Sequence, residues 1–245
     1  MKHLRIQVPA RDEAATIEAV VASALARAEA AWHGEAISVL VVDDASQDGT
    51  DVVLRAMTAR DPRIHTLRRG TPVGLGAAFR AGLALALEDG ADVLLHLDGD
   101  GQHDAADLGA VLEPLQRGDA DLVLGSRFLD AARIPSDLPP LARVGNRWLA
   151  ALVSAAAGQS LADVSCGLRA FGPTALRAMR ALRSDYTYTH ESVLVAAAAG
   201  LRIHEVAVDT AGQRRHGRSR LVRNPLRHGL RATLGIARAQ LTLRR

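Results

Sequence analysis

The chain has 245 residues, 48% of them hydrophobic, and a net charge of +3, which allows one well-buried large domain. A single cysteine, Cys166, excludes an intrachain disulfide and a multi-cysteine zinc site, and 3% aromatic content argues against a base-stacking nucleic-acid platform. The longest charge-free window, 148–162, is shorter than a membrane-spanning helix requires and rich in Ala, Gly and Ser.

The opening residues, MKHLRIQVPARDEA, break any apolar stretch with Arg5, Arg11, Asp12 and Glu13, so no secretory signal is expected and the cytoplasm is the expected compartment. LRIQVP (4–9) reads as a first buried strand, followed by an Ala-rich helix over 14–31. ISVLVVDD (37–44) is the second strand and ends in two acids. A helix over 51–59 follows, with Ser46, Asp48 and Thr50 as its caps. IHTL (64–67) makes a third strand, and Gly74 to Gly76 introduce a helix over 77–88. DVLLHLD (92–98) is a fourth strand running into Asp98 and Asp100, a helix covers 105–116, and ADLVLGS (120–126) is the fifth strand.

Beyond Arg127 the alternation weakens, and the Pro and Asp content of 130–143 predicts a long, mobile surface loop. Helices resume over 145–157, 173–182 and 190–199, then a strand at RIHEVAV (202–208) and a basic helix over 225–238. No internal repeat is present. Continuous apolar strands alternating with helices predict an α/β fold, a mostly parallel sheet covered on both faces with ligands at the carboxyl ends of its strands. One domain over 1–221 is expected, with a basic amphipathic segment over 222–245. After Asp209 there is no Asp or Glu, yet ten arginines lie between Arg214 and Arg245. Such a segment attracts phosphate as nucleotide, anionic lipid or nucleic acid.

The acids at the strand ends carry the chemistry. Asp98, Asp100 and Gln102 offer oxygen ligands at alternate positions, the donor set of a Mg²⁺ or Mn²⁺ ion that also holds phosphate oxygens. A strand-ending Asp-Gly turn is the plain alternative. A calcium loop fails because His103 stands where its Gly is required and Gly109 where its bidentate Glu is required. Gly74 and Gly76 can cradle phosphate, but Phe79 replaces the third glycine of a dinucleotide fingerprint and the loop does not follow the first strand. Asp43 and Asp44 need donors if buried: a nucleobase N–H, a ribose hydroxyl or a nearby Arg. RRHGRSR (214–220) is either a solvated basic loop or a phosphate clamp.

Taken together, these segments resemble family 2 inverting glycosyltransferases of the GT-A fold, in the branch that makes dolichyl- or polyprenyl-phosphate mannose and glucose. VPARDE (8–13), VVDDASQDGT (41–50), GLGAAFRAG (74–82), LDGDGQHD (97–104), GSRF (125–128), DVSCGLRAF (163–171), THESVLVAAAAGLRIHEVAV (189–208) and RRHGRSRL (214–221) follow that family's motifs in order. The sequence departs from them at Arg11 and Asp12, where the family has Tyr and Asn, at Leu168, where it has Phe, and at Arg220, where it has Lys. The resemblance implies nucleotide binding by Pro9, Ala10, Glu13, Asp43, Asp44, Gly74, Asp98 and Gly99, and metal binding by Asp98, Asp100 and Gln102. It further implies phosphate or acceptor contacts by Arg127, Arg169, Arg214 and Arg220.

The implied reaction is inverting hexose transfer from a nucleotide-diphosphate sugar to a polyprenyl phosphate. A phosphate monoester with a second pKa near ~6 is already an anionic nucleophile at neutral pH. A hydroxyl acceptor would need a base, for which Asp163 and Glu191 are candidates if they do not serve to orient Arg169 or the backbone. The basic helix, with Leu226, Leu230, Leu234, Ile236 and Leu241 on one face, either packs on the domain or lies on an anionic membrane. Two rival readings are a sugar-nucleotide nucleotidyltransferase, which would need an N-terminal Gly-rich basic loop, and a non-enzymatic metal- or polyanion-binding module, which should have lost metal carboxylates.

Overall fold

A computed structural model describes residues 1–103, 105–183, 187–210 and 225–243. Its seven strands are β1 (His3–Ala10), β2 (Ala36–Asp43), β3 (Ile64–Arg68), β4 (Val93–His96), β5 (Leu122–Ser126), β6 (Arg169–Phe171) and β7 (Ile203–Ala207). The α-helices are α1 (Ile17–Ala31), α2 (Thr50–Arg60), α3 (Leu75–Glu88), α4 (Leu108–Gln116), α5 (Pro140–Ala157), α6 (Pro173–Ala178), α7 (Tyr188–Ala198) and α8 (Pro225–Leu243). The strands form one sheet in the order β3-β2-β1-β4-β6-β5-β7, parallel except for β6, which runs antiparallel to both β4 and β5.

Side-chain alternation sorts the two faces. From β1, Leu4, Ile6 and Val8 enter the core shared with α1, α2 and α4, as do Val39 and Val41 of β2 and Val93 and Leu95 of β4. The other face receives Leu94, Leu122, Leu124 and Phe171 beneath α3, α5, α6, α7 and α8. Burial on both faces explains why these strands read as continuous apolar runs.

Besides strand β6, which was not expected from the sequence, three features differ from the sequence expectations. α5 begins at Pro140, which fits the first helical turn because its missing N–H has no partner there anyway, so the long loop after Arg127 is shorter than the 130–143 expected. A short 3₁₀ turn, Ala131–Arg133, interrupts it, capped by Asp130. Of the three caps expected for α2, Asp48 accepts from the Thr50 backbone N–H at 3.0 Å across Gly49 (φ 93°), whereas Ser46 Oγ accepts from the Asp12 N–H and Thr50 is the first helical residue. α8 runs on to Leu243 and packs against α5 and α7 through Ala232, Ile236 and Ala239. Ile236 therefore lies on the opposite side of the helix from the exposed Leu230, Leu234 and Leu241, not on their face.

Candidate active site

Because β1, β2 and β4 are parallel, their carboxyl ends meet at one edge of the sheet and bring the acids of three separate segments together. Two loops are fastened to each other there. The Gln47 N–H donates to Asp12 at 2.7 Å, the Asp12 N–H to Ser46 Oγ at 2.9 Å, and the Glu13 N–H to Thr50 Oγ1 at 2.9 Å. Asp12 (φ 54°) and Ala45 (φ 61°) hold left-handed backbone conformations that cost energy for residues with a side chain, and both flank this junction. Ala10 accepts from the Asp44 N–H at 2.9 Å.

Asp43 and Asp44 are both buried, but their carboxylates are used differently. Asp44 accepts from the backbone N–H groups of Val73 and Gly74, each at 2.9 Å, so it anchors the loop entering α3. Gly74 has φ 96°, a conformation suited to glycine, and its N–H points at Asp44. Asp43 Oδ1 accepts from the Ser46 N–H at 2.9 Å, whereas buried Oδ2 has no hydrogen-bond partner and lies 3.7 Å from Arg68 Nε. Leu67, Arg68, Gly70 and Thr71 border an open pocket at this end of β3.

β4 ends at His96, so Asp98, Gly99 and Asp100 form a turn beyond the strand. Thr16 Oγ1 donates to the Gly99 carbonyl at 3.0 Å, and a Cβ at Gly99 would come within 2.8 Å of the Pro9 carbonyl. The turn thus presses against the end of β1, and only a glycine fits. Burial and the charge of Asp98 push the Asp100 carboxyl up to about 6. Burial also works to raise Asp98, but His103, His96 and Arg127 outweigh it and hold Asp98 below its ordinary value. His103 Nε2 is 3.6 Å and His96 Nε2 3.9 Å from the Asp98 carboxylate, and the Gln102 N–H donates to Asp100 at 3.1 Å. Two close carboxylates in mutual repulsion fit a cation. Among the described residues no three His, Cys, Asp or Glu side chains gather to enclose one, so substrate and water would have to complete its coordination.

The antiparallel direction of β6 delivers a further loop, 162–168, to the same edge. Asp163, fully buried, receives Arg127 Nε at 2.6 Å, Arg127 Nη2 at 3.0 Å, and the backbone N–H groups of Arg127, Ser165 and Cys166. Burial pushes the Asp163 carboxyl up, yet the Arg127 charge and these bonds hold it below the usual carboxylate range. Arg169 is equally committed: it donates to the carbonyls of Val164, Cys166 and Thr189 and to Ser192 Oγ. Glu191 accepts from the Arg183 N–H at 3.0 Å, and His190 Nε2 lies 3.2 Å from Ser165 Oγ. Asp104, Arg214 and Arg220 lie outside the described residues.

A sequence profile described as glycosyl transferase family 2 matches residues 6–187, from β1 into the loop before α7. The chain belongs to glycosyl transferase family 2. Within this family it is 37% identical to the undecaprenyl-phosphate mannosyltransferase of Micrococcus luteus, over 84% of this chain and 87% of that one. It is 34% identical to the polyprenol monophosphomannose synthase of Mycolicibacterium smegmatis over 55% of this chain and 51% of that one. The glucosyl-3-phosphoglycerate synthase of Mycobacterium tuberculosis, solved with Mn²⁺ and UDP-glucose, aligns with a TM-score of 0.69 at 19% identity, covering 98% and 79% of the two chains. Mannosyl-3-phosphoglycerate synthase from Rubrobacter xylanophilus aligns with a TM-score of 0.67 at 17% identity, covering 98% and 73%. These two likenesses establish the shared fold, the GT-A architecture that the motifs imply.

Within this family 2 fold several positioning residues escape motif reading. Glu205 of β7 accepts the Ala162 and Asp163 N–H groups, each at 2.8 Å, and its position as the one acid in RIHEVAV was the available signal. Gln7, buried in β1, donates to the Ala78 and Phe79 carbonyls at 3.1 Å, and Gly82 makes room for it. Tyr188 Oη lies 2.9 Å from His96 Nε2 behind Asp98. Burial drives that imidazole down to about 4, so it is neutral at physiological pH.

Proposed function

We propose that this family 2 glycosyltransferase moves a hexose from a nucleotide diphosphate sugar to the phosphate of a polyprenyl phosphate, with inversion at C1. The observation that carries the phosphate acceptor is the state of Asp163: five hydrogen bonds, two from the Arg127 guanidinium, leave it poorly suited to take a proton. A phosphate monoester needs no base, since its second pKa near ~6 leaves it anionic at neutral pH. The M. luteus relative, by its name, uses an undecaprenyl phosphate, which supports the same reading.

In this reading the donor nucleotide occupies the edge formed by Pro9, Ala10, Glu13, Asp43 and the Asp98-Gly99 turn. Oδ2 of Asp43, which receives no hydrogen bond within the protein, accepts an N–H of the base, and Asp44 shapes the loop through Gly74. Mg²⁺ or Mn²⁺ held by Asp98, Asp100 and Gln102 would supply Lewis-acid stabilisation of the departing diphosphate. Arg214 and Arg220 are assigned to the phosphates by charge and by their place in the motif. Arg127 and Arg169 act by holding the 162–168 loop.

Among the described residues no helix is long and apolar enough to cross a membrane. The acceptor is met at an anionic bilayer surface. Leu230, Leu234 and Leu241 of α8 are exposed beside Arg231 and Arg238, and Leu141, Val144 and Trp148 are exposed on the adjacent α5. Neither helix contains an acid, so the face suits a negatively charged interface. The expected setting is therefore peripheral, on the cytoplasmic face.

A second reading, transfer to a soluble hydroxyl, would take its base from Glu191, which stands at the start of α7 against the Arg183 N–H at 3.0 Å and outside the Arg127–Asp163 pair. Assays with Mn²⁺ and GDP-mannose, UDP-glucose or UDP-N-acetylglucosamine separate the two. Transfer to a short-chain polyprenyl phosphate supports the first, and transfer to small alcohol acceptors with none to the lipid phosphate rejects it.

A further inference from the structure

The metal-side carboxylate does not stand in open space. A Cβ placed on Gly167 would fall 1.9 Å from Asp98 Oδ2, 2.5 Å from its Cγ and 2.9 Å from Oδ1. The Asp98 carboxylate, Oδ2 foremost, therefore occupies the space that a side chain at residue 167 would fill. That residue belongs to a loop tied down at both ends. Glu205 holds its entry through the Ala162 and Asp163 N–H groups. Asp163 gathers the Ser165 and Cys166 N–H groups together with Arg127, and Arg169 grips the Val164 and Cys166 carbonyls from below. So many constraints on so short a loop give Gly167 a fixed place, with its φ outside the left-handed region, so neither backbone conformation nor turn geometry demands a glycine there.

We infer that Gly167 is a positioning residue for the metal: the 162–168 loop is a rigid seat that sets where the Asp98 carboxylate stands, and Asp163, Arg127, Arg169 and Glu205 affect the reaction through that seat. This inference rests on reading Asp98 as a metal carboxylate. An added methyl at residue 167 has to displace the obstructing atoms by about 1.5 Å to reach ordinary contact distance. Those atoms are the tip of a side chain rather than backbone, so the displacement falls on Asp98 and the fold is largely spared. Losses of the partners that orient a ligand cost about 10- to 100-fold in metal affinity.

The test measures Mn²⁺ binding by electron paramagnetic resonance in the presence of UDP or GDP, using the full chain and the variants Gly167→Ala and Gly172→Ala. Gly172 closes the far end of β6, where a Cβ would meet the Asp121 carbonyl at 3.2 Å, so it is the control for crowding away from Asp98. Gly167→Ala is expected to weaken Mn²⁺ binding about 10- to 100-fold, with Gly172→Ala unchanged. Equal binding by Gly167→Ala, or equal weakening by Gly172→Ala, overturns the seat. Absence of Mn²⁺ binding by the unaltered chain overturns the metal reading itself. A thermal-denaturation cycle without metal covers the case of a poorly folding Gly167→Ala. The Tm loss it causes should largely vanish in an Asp98→Ala background, and additive losses refute the contact.

Discussion

Replacing Arg127 by Met would leave a charged Asp163 buried without its cation. The guanidinium delivers two of the five hydrogen bonds that Asp163 receives, and the carboxylate is fully buried. Breaking a buried ion pair by removing one partner costs about 3–5 kcal/mol. The N–H groups of residue 127, Ser165 and Cys166 remain, which places the expected loss near the lower end, about 3 kcal/mol. For a chain of this size that corresponds to a fall in Tm of about 6–12 °C. The pH dependence has a definite sign. With Arg127 present, Asp163 titrates below the ordinary carboxylate range, so its stabilisation is complete above the unfolded value and is lost only as the pH falls through the lower folded one. In Arg127→Met the carboxyl titrates higher, and protonation relieves it sooner. The gap between the two proteins should be widest at pH 7–8 and narrow toward pH 4, as followed by calorimetry or by circular dichroism in denaturant. A Tm loss under about 1 °C at pH 7.5, or a gap that widens with acid, would refute the buried-pair account.

Further outcomes follow from the other groups. Asp100 is raised to about 6, so in the metal-free protein its ionisation costs stability above that pH. Tm should rise as the pH falls from 7.5 toward 5, and Asp100→Asn should flatten that component; an unchanged profile in the variant contradicts the assignment. Asp43→Asn should change metal-free stability little, because the amide oxygen can keep the Ser46 N–H bond and only the pairing with half-exposed Arg68 at 3.7 Å is lost. Nucleotide affinity by calorimetric titration should fall about 10- to 100-fold, the value of a hydrogen bond to a charged group, and retained affinity counts against base recognition there. For the membrane face, Trp148→Ser combined with Leu234→Ser should lower flotation with anionic vesicles by about tenfold or more, from the apolar area withdrawn. Equal flotation would remove α5 and α8 from the proposal.

Much of this arrangement was legible in the sequence because it is written in long regular signals. β1, β2, β4 and β5 are apolar runs long enough to stand out, and parallel pairing then obliges their terminal acids to converge. β6 was missed. Three residues, Arg169–Phe171, carry no periodicity, and they become a strand only because β4 and β5 pair with them from both sides. Its reversed direction is what brings Asp163 and Gly167 to the site, so that part of the geometry was hidden with it. Arg127 and Arg169 show a different limit. Guanidinium groups suit phosphates and carboxylates equally, and only the fold shows that Asp163 and three backbone carbonyls already occupy them. α8 looked like a helix with Ile236 on the apolar face of Leu230 and Leu234, but a step of two residues turns a helix by about 200°, so packing against α5 and α7 takes Ile236 and leaves Leu234 exposed.

The central claim, sugar transfer onto a lipid phosphate, is tested most directly by the structure of the product. Incubation of the full chain with Mn²⁺, a nucleotide sugar labelled at C1 and a short polyprenyl phosphate should yield a glycosyl phosphodiester. Nuclear magnetic resonance should show phosphorus coupled to the labelled carbon and an anomeric configuration opposite to that of the donor. A retained configuration, a sugar attached through a hydroxyl, or release of free sugar alone would contradict the account.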